Sequence, residues 1–362
     1  MNSRTTPSAA RIDIQGVRTA VDAHLADYLD AKEHAAAHHD LPTELAESLR
    51  GFVMGGGKRL RPVLCACGWY AGGGTRDTTV MVKVAASLEM FHAFALIHDD
   101  IMDRSATRHG RPTVHRVFTR RLDTHRSPAT AERLGAGAAI LVGDLALVWS
   151  DELLHTAGVP TERFTRLLPL VHAMRTEVIH GQYLDLAATA DVSGDIAAPL
   201  KAIRYKTAKY TVERPLHIGA TLAGADPRVL QPLSAYALRL GEAFQLRDDL
   251  LGVFGDPHRT GKSRLDDLRE GKHTVLLALA LQRAEAAQRE TLRLLIGNPA
   301  LDEDDAARIR TILTATGART EVERMIRARC AQARRVLLHT AFPTHAVQAL
   351  RRIVDATVAR TS

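Results

Sequence analysis

Asp99-Asp100-Ile101-Met102-Asp103 is the stretch of this 362-residue chain with the clearest capacity for chemistry. Asp99 and Asp103 are four residues apart, so on a helix both carboxylates leave one face and can share a cation. A hard cation with oxygen ligands and phosphate partners suits magnesium, which keeps several waters and uses few carboxylates. Acid clusters near helix ends are usually solvated, so the pattern alone decides little. Its context differs, because Phe94 to His98 are mostly apolar and the cluster closes a buried helix. A second acidic pair, Asp248-Asp249, ends another apolar stretch that starts at Gly241. Helical bundles build metal sites from inward-facing carboxylates on separate helices. Two separated clusters fit a substrate with its own negative charge, namely a diphosphate bridging the ions.

Cations alternate with these acids. Gly56-Gly57-Lys58-Arg59-Leu60-Arg61-Pro62 sets three of them beside a glycine turn. Glycines permit close backbone approach to an anion, and Lys with Arg supply point charge and bidentate hydrogen bonds. The loop lacks the spacing of a P-loop, which disfavours nucleotide binding. Arg108-His109-Gly110-Arg111-Pro112 follows the first acid cluster, and Lys206-Thr207-Ala208-Lys209-Tyr210 lies in a helical stretch. Gly261-Lys262 and Gly271-Lys272 follow the second. Each cation alone reads equally as a surface charge; the ordered alternation does not.

This order resembles the isoprenyl diphosphate synthase family (polyprenyl synthetases). The resemblance runs from about Gly55 to Thr274 and rests on GGKRLRP, DDIMD with RHGRPT, Gly181-Gln182-x-x-Asp185, KTAKYT, FQLRDD and TGK with DLREGKHT. It implies Asp99, Asp103 and Asp248 as the main ligands of two or three magnesium ions, with Asp100 and Asp249 in support. It implies Arg108, Lys206, Lys262 and Lys272 on an allylic diphosphate, with Gln245 nearby. Lys58, Arg61, His92 and His109 would then face the diphosphate of isopentenyl diphosphate. Thr207, Gln182 and Asp185 would lie near the reacting carbon. A homodimer is a further implication of the resemblance.

Two departures stand out. His109 occupies a position where the family often has Arg, which makes that contact weaker or pH-sensitive. The second cluster runs Asp248-Asp249-Leu250-Leu251-Gly252 rather than DDxxD, and the next acid is Asp256, whose role stays open. Product length should depend on what lies beneath Asp99. Phe94 is about 7.5 Å deeper along the helix and Phe91 about 12 Å deeper. In similar enzymes an aromatic at the Phe94 position closes the tail pocket, while small Ala95 leaves room. A helical wheel sets Ala95 and Phe91 more directly below Asp99, so both aromatics also read as core packing. The expected product is C20, geranylgeranyl diphosphate, with C15 or C25 and longer as alternatives.

The elements that must hold these groups read as helices throughout. Ala, Leu and Arg are abundant and aromatics make up only 4%, a mixture that favours helix. Apolar positions recur at three- and four-residue steps from Ile12 to His38. Further helices are expected over 41–52, 62–70, 79–102, 135–154, 161–189, 199–223, 228–254, 274–296, 302–316, 318–340 and 343–359. Pro112 and the stretch 126–131 mark breaks, and no strand-like alternation stands out. The fold class is therefore all-α, one bundle of roughly a dozen helices over residues 13–362, behind a disordered lead of residues 1–12.

The net charge of +7 fits solvated helical faces as well as an anionic partner. Cys65, Cys67 and Cys330 form neither a disulfide framework nor a zinc pattern. No signal peptide and no run of about 18 uninterrupted apolar residues is evident, which predicts a cytoplasmic protein with no integral membrane segment. A nucleic-acid or lipid binder needs a basic stripe interleaved with aromatics, and the aromatics are too few. A class I terpene cyclase should carry an Asn/Asp-Ser/Thr-Glu triad on the second helix and has no need of GGKRLRP. A silent regulatory subunit would be expected to lose one acid cluster, whereas both are present.

Overall fold

The computed structural model describes residues 12–75, 77–108, 110–122, 126–189, 193–256 and 263–359. Almost all of them are helical. In chain order the helices are α1 (Ile14–His38), α2 (Glu44–Met54), α3 (Leu60–Ala71) and α4 (Thr79–Met102). A two-residue ribbon, β1 (Thr107–Arg108) against β2 (Arg111–Pro112), precedes α5 (Val114–Leu122), α6 (Pro128–His155) and α7 (Thr161–Ala188). Next comes one rod of three parts: α8 (Ala197–Ala202), a π-helical segment (Ile203–Glu213) and α9 (Arg214–Leu222). A short 3-10 turn leads to α10 (Leu230–Phe254). Then follow α11 (Asp266–Glu270), α12 (Val275–Arg283), α13 (Ala286–Leu295), α14 (Glu303–Ala315), α15 (Ala318–Leu338) and α16 (Thr344–Ala359).

The all-α expectation holds, with four local differences. The β1–β2 ribbon forms because Gly110 adopts φ +74°, a conformation that reverses the chain at little cost to glycine. Helix α5 was not foreseen, since its charged sequence VHRVFTRRL buries only Val114, His115 and Phe118. Helix α6 begins at Pro128, seven residues earlier than expected, because Ser127 caps it by accepting from the Thr130 N–H. The expected helix over 274–296 is two helices, broken where Ala284 turns extended and Glu285 with Gln288 forms a capping box. Residues 1–11 of the expected lead lie outside the described residues, and Ile12 packs into the core.

Helix α4 runs through the centre, and Met81, Leu88, Met90, Phe91 and Ile97 on it are essentially inaccessible. They join Leu25, Leu49, Leu153 and Leu167 in one apolar cluster. A second cluster gathers Leu64, Leu216, Tyr236, Leu277 and Ile326 around α10 and the C-terminal helices. Each such aliphatic side chain contributes roughly 1.5–3 kcal/mol relative to exposure. By length and composition α4 and α6 could each cross a membrane. For α4 the core explains that composition. Helix α6 instead leaves Leu141 and Val148 open at its surface, at 58% and 60% exposure.

Glycines decide how closely the functional helices approach. A Cβ on Gly181 of α7 would stand 2.7 Å from the Lys206 Cα, and one on Gly241 of α10 2.6 Å from the Ala208 Cβ. The π segment is thus clasped between two glycine faces, which brings Lys206 and Thr207 between α7 and α10. π-helical turns often accompany functional sites.

Candidate active site

The acid clusters end α4 and occupy the last turns of α10, where the helix dipole disfavours negative charge. Something must offset that cost, and the chain supplies cations for it. Arg108, carried on β1, donates through Nε to both Asp100 oxygens at 2.8 and 2.9 Å, and through Nη2 to Asp99 at 3.2 Å. Lys206 on the π segment reaches Asp99 at 3.2 Å and Asp185 of α7 at 2.6 Å. Gln182 donates to the same Asp99 oxygen at 3.0 Å. Asp99 is therefore the point where β1, α7 and the π segment converge on α4. Burial disfavours its charge, but Lys206, Lys272 and Arg108 together hold its carboxyl below the usual range.

Lys272 follows α11 and sits among three carboxylates: Asp103 at 3.4 Å, Asp267 at 3.4 Å and Glu270 at 3.2 Å. It bridges the first acid cluster to the loop after the second. Burial pushes Asp249 up to about 8, although Gln245 donates to it at 2.8 Å. Burial also raises Glu270, to about 7. Thr207 donates to Gln245 at 2.7 Å, so Thr207, Gln245 and Asp249 form a relay from the π segment into α10. Asp248 lines the cavity between the helices together with Asp99.

The same cavity, of about 670 Å³, is also lined by the glycine loop with Lys58, by Arg61 of α3 and by His92 of α4. Gly56 and Gly57 take φ +122° and +141°, conformations that other residues rarely adopt. Arg59 is itself left-handed (φ +47°) and buried, and its guanidinium anchors the loop. It bonds Asp22 of α1 at 2.6 Å, Glu89 of α4 at 3.1 Å and the Val53 carbonyl at 2.7 Å. Arg61 donates to Thr211 at 2.5 Å and lies 4.3 Å from the Tyr210 ring centroid. The Tyr210 hydroxyl and His92 Nδ1 share a 3.3 Å hydrogen bond.

The structure brings together Asp99, Asp248, Arg108, Gln182, Lys206, Thr207, Gln245, Lys272, Lys58, Arg61, His92 and Ala95 around one cavity. Asp103 and Asp185 join through Lys272 and Lys206, whereas Asp100 is 1% exposed and hands its carboxylate to Arg108. His109 and Lys262 lie outside the described residues. Phe94 does not line that cavity with Ala95; its ring packs tilted against His98 and Phe91, with centroids 4.8 and 5.2 Å apart.

Sequence reasoning missed the anchoring role of Arg59, the Tyr210–Thr211 support of Arg61, and Asp267. A Cβ on Gly252 would stand 2.9 Å from Asp267 Cγ. The Asp267 carboxylate thus fills the space into which a fifth-position Asp of the second cluster would project. The adjacent DLREGK stretch was the available signal. Its acids at 267 and 270 both precede Lys272, but no spacing rule links them to Gly252.

Carboxylates from two helices, cations and a glycine loop thus line one cavity in an all-α bundle. The chain belongs to the polyprenyl synthetase family, which it matches over residues 42–313, and it is a prenyltransferase. Among its relatives, geranylfarnesyl diphosphate synthase of Aeropyrum pernix is 33% identical over 82% of this chain and 87% of that protein. Geranylgeranyl diphosphate synthase of Saccharolobus solfataricus is 31% identical over 74% of this chain and 76% of its own length. Among solved structures, geranylgeranyl pyrophosphate synthase of Corynebacterium glutamicum, complexed with isoprenyl diphosphate and magnesium, superposes with a TM-score of 0.92. It is 39% identical, over 97% of this chain and 100% of that one.

Proposed function

We propose that the protein catalyses the magnesium-dependent head-to-tail (1′-4) condensation of isopentenyl diphosphate with allylic diphosphates, with geranylgeranyl diphosphate as its main product. The observation that carries this reading is one cavity lined both by the carboxylates Asp99 and Asp248 and by the basic groups Lys58, Arg61 and His92. One substrate would need metal-held carboxylates at its leaving diphosphate, the other only a basic cradle, and the lining offers both.

The donor set fits magnesium. Among the described residues no three acidic or histidine groups form a ready-made cage. The carboxylate oxygens of Asp99, Asp103 and Asp248 suit a hard ion whose shell water and phosphate would complete. The ammonium of Lys272 among Asp103, Asp267 and Glu270 marks where positive charge is already favoured. Asp99, Asp103 and Asp248 would hold two or three ions. Bound there, magnesium neutralises charge that develops on the departing diphosphate.

The chain's own groups do the rest. Lys206 and Arg108 donate toward the leaving oxygens, most strongly as the allylic C–O bond breaks. Apolar walls at Ala95, Leu96, Val178 and Phe244 keep water from the allylic cation. The Thr207 and Gln245 oxygens lie beside it on the cavity wall. Arg61 and Lys58 hold isopentenyl diphosphate so that its double bond faces the allylic C1, which removes an entropic cost of encounter. Once the C–O bond has broken, the isopentenyl double bond attacks the allylic C1, and the adduct loses a proton to the released diphosphate.

Incubation with farnesyl diphosphate, labelled isopentenyl diphosphate and magnesium should yield a C20 diphosphate, and chelation should abolish it. Consumption of the allylic substrate alone would instead indicate a cyclase, and no isopentenyl incorporation from any allylic starter would sink the proposal.

The homodimer is part of the same proposal. Leu141 and Val148 on α6 and Ile179, Tyr183 and Leu186 on α7 are all about half exposed or more, at helical spacing. Stripes of this kind mark protein interfaces. Light scattering should return twice the 39.5 kDa chain mass; a monomer at micromolar concentration would refute the dimer.

A further inference from the structure

On the reaction proposed above, the growing tail runs down α4 from Asp99. Beneath it stands a residue outside every motif. Arg175 lies on α7 seven residues before Gln182, about 10 Å deeper along that helix. Its guanidinium carbon is 5.2 Å from the centroid of the Phe91 ring. Nη1 donates to Asp151 at 2.5 Å and Nη2 to Ser150 Oγ at 3.2 Å. Both acceptors belong to α6, so the side chain crosses from α7 to α6 below the aromatic pair. Its Nε is buried without a hydrogen-bond partner. Phe91 is 1% exposed and is held by Phe94 at 5.2 Å, Tyr210 at 5.9 Å and Arg175.

We infer that Arg175 is a specificity-determining residue, a polar stop that ends product growth beneath the Phe91–Phe94 pair. Aromatic rings alone make a yielding floor, because an apolar tail that displaces them exchanges one apolar contact for another. A guanidinium differs, since it cannot lose its charge. A tail that pushes it from Asp151 and Ser150 strips a partly buried cation, 17% exposed, of both its partners, which is unfavourable. An apolar tail also cannot satisfy the open Nε–H. The steric floor is thus backed by an electrostatic one, and the two together fix the depth of the pocket. If Arg175 only braced α7 against α6, its replacement would lower stability and leave product length unchanged.

The test compares parent and Arg175→Met proteins, with farnesyl and labelled isopentenyl diphosphates, by mass analysis of the products. Methionine keeps an unbranched apolar stem without charge or donors. The ratio of C25-and-longer to C20 product should rise by about tenfold, while the first condensation keeps its kcat and KM. Arg175→Lys, which retains a cation, should restore the parental length. An unchanged length distribution from folded Arg175→Met, as judged by circular dichroism, overturns the inference. Should that variant not fold, Asp151→Asn loosens the same guanidinium from a distance and should lengthen products to a smaller degree. Parental lengths there overturn it equally. Absence of any condensation by the parent protein would defeat the reaction itself rather than the stop.

Discussion

Asp99→Ala should lower kcat about 10³-fold, the scale expected when a charge-stabilising group at the reacting centre is lost, with KM for isopentenyl diphosphate little changed. Asp99 is where Gln182, Lys206 and Arg108 meet, so its removal deprives the leaving-group side of its one shared anion. The cradle proposed for isopentenyl diphosphate rests on other contacts, Arg61 on Thr211 and Tyr210, with Arg59 locking the loop to Asp22 and Glu89. Arg59 and Arg61 are held by Asp22, Glu89, Thr211 and Tyr210 rather than by Asp99, which is why the two kinetic constants should part. The fold should survive, because Lys206 keeps Asp185 and Arg108 keeps Asp100. Steady-state kinetics beside a thermal melt checks both halves. A kcat within tenfold of the parent would remove Asp99 from the centre of the mechanism.

The helices that carry the acids were legible because their chemistry is one-dimensional. Thr79–Met102 is apolar on most faces and ends at its own acid cluster, so both boundaries and burial follow from composition. The order of cations and acids was legible for the same reason. What the sequence did not disclose is pairing across space. Lys272 reads as one more loop cation, yet it gathers Asp103, Asp267 and Glu270 from two segments. The π segment was likewise invisible. Its residues suit an α-helix, and the change of pitch accompanies clasping by Gly181 and Gly241, 60 positions apart. Gly252 looked like a defect in the second cluster, whereas Asp267 stands in its space. The break at Glu285 was available in principle, since Glu285 and Gln288 have capping-box spacing, but apolar periodicity on both sides masked it.

Asp248→Ala should be nearly as damaging as Asp99→Ala, and the double variant scarcely worse than either single one. The two carboxylates sit on different helices with the cavity between them, so ordinary additivity would be expected if each acted on its own. They do not act alone if both hold ions bridged by one diphosphate. Breaking either end leaves the leaving group unneutralised, and a second break then removes little more. Each single substitution should cost about 10³-fold in kcat/KM for the allylic substrate, and the double about the same, where independent sites would approach about 10⁶-fold. Asp267 sharpens the expectation. Its carboxylate already stands where the second cluster lacks a residue, and Lys272 ties it to Asp103. Some charge therefore remains near α10 after Asp248 is removed, which makes Asp99→Ala the more severe single change. Four proteins measured in one double-mutant cycle, at saturating magnesium, decide the matter. Multiplicative losses would mean two separate sites rather than one bridged centre.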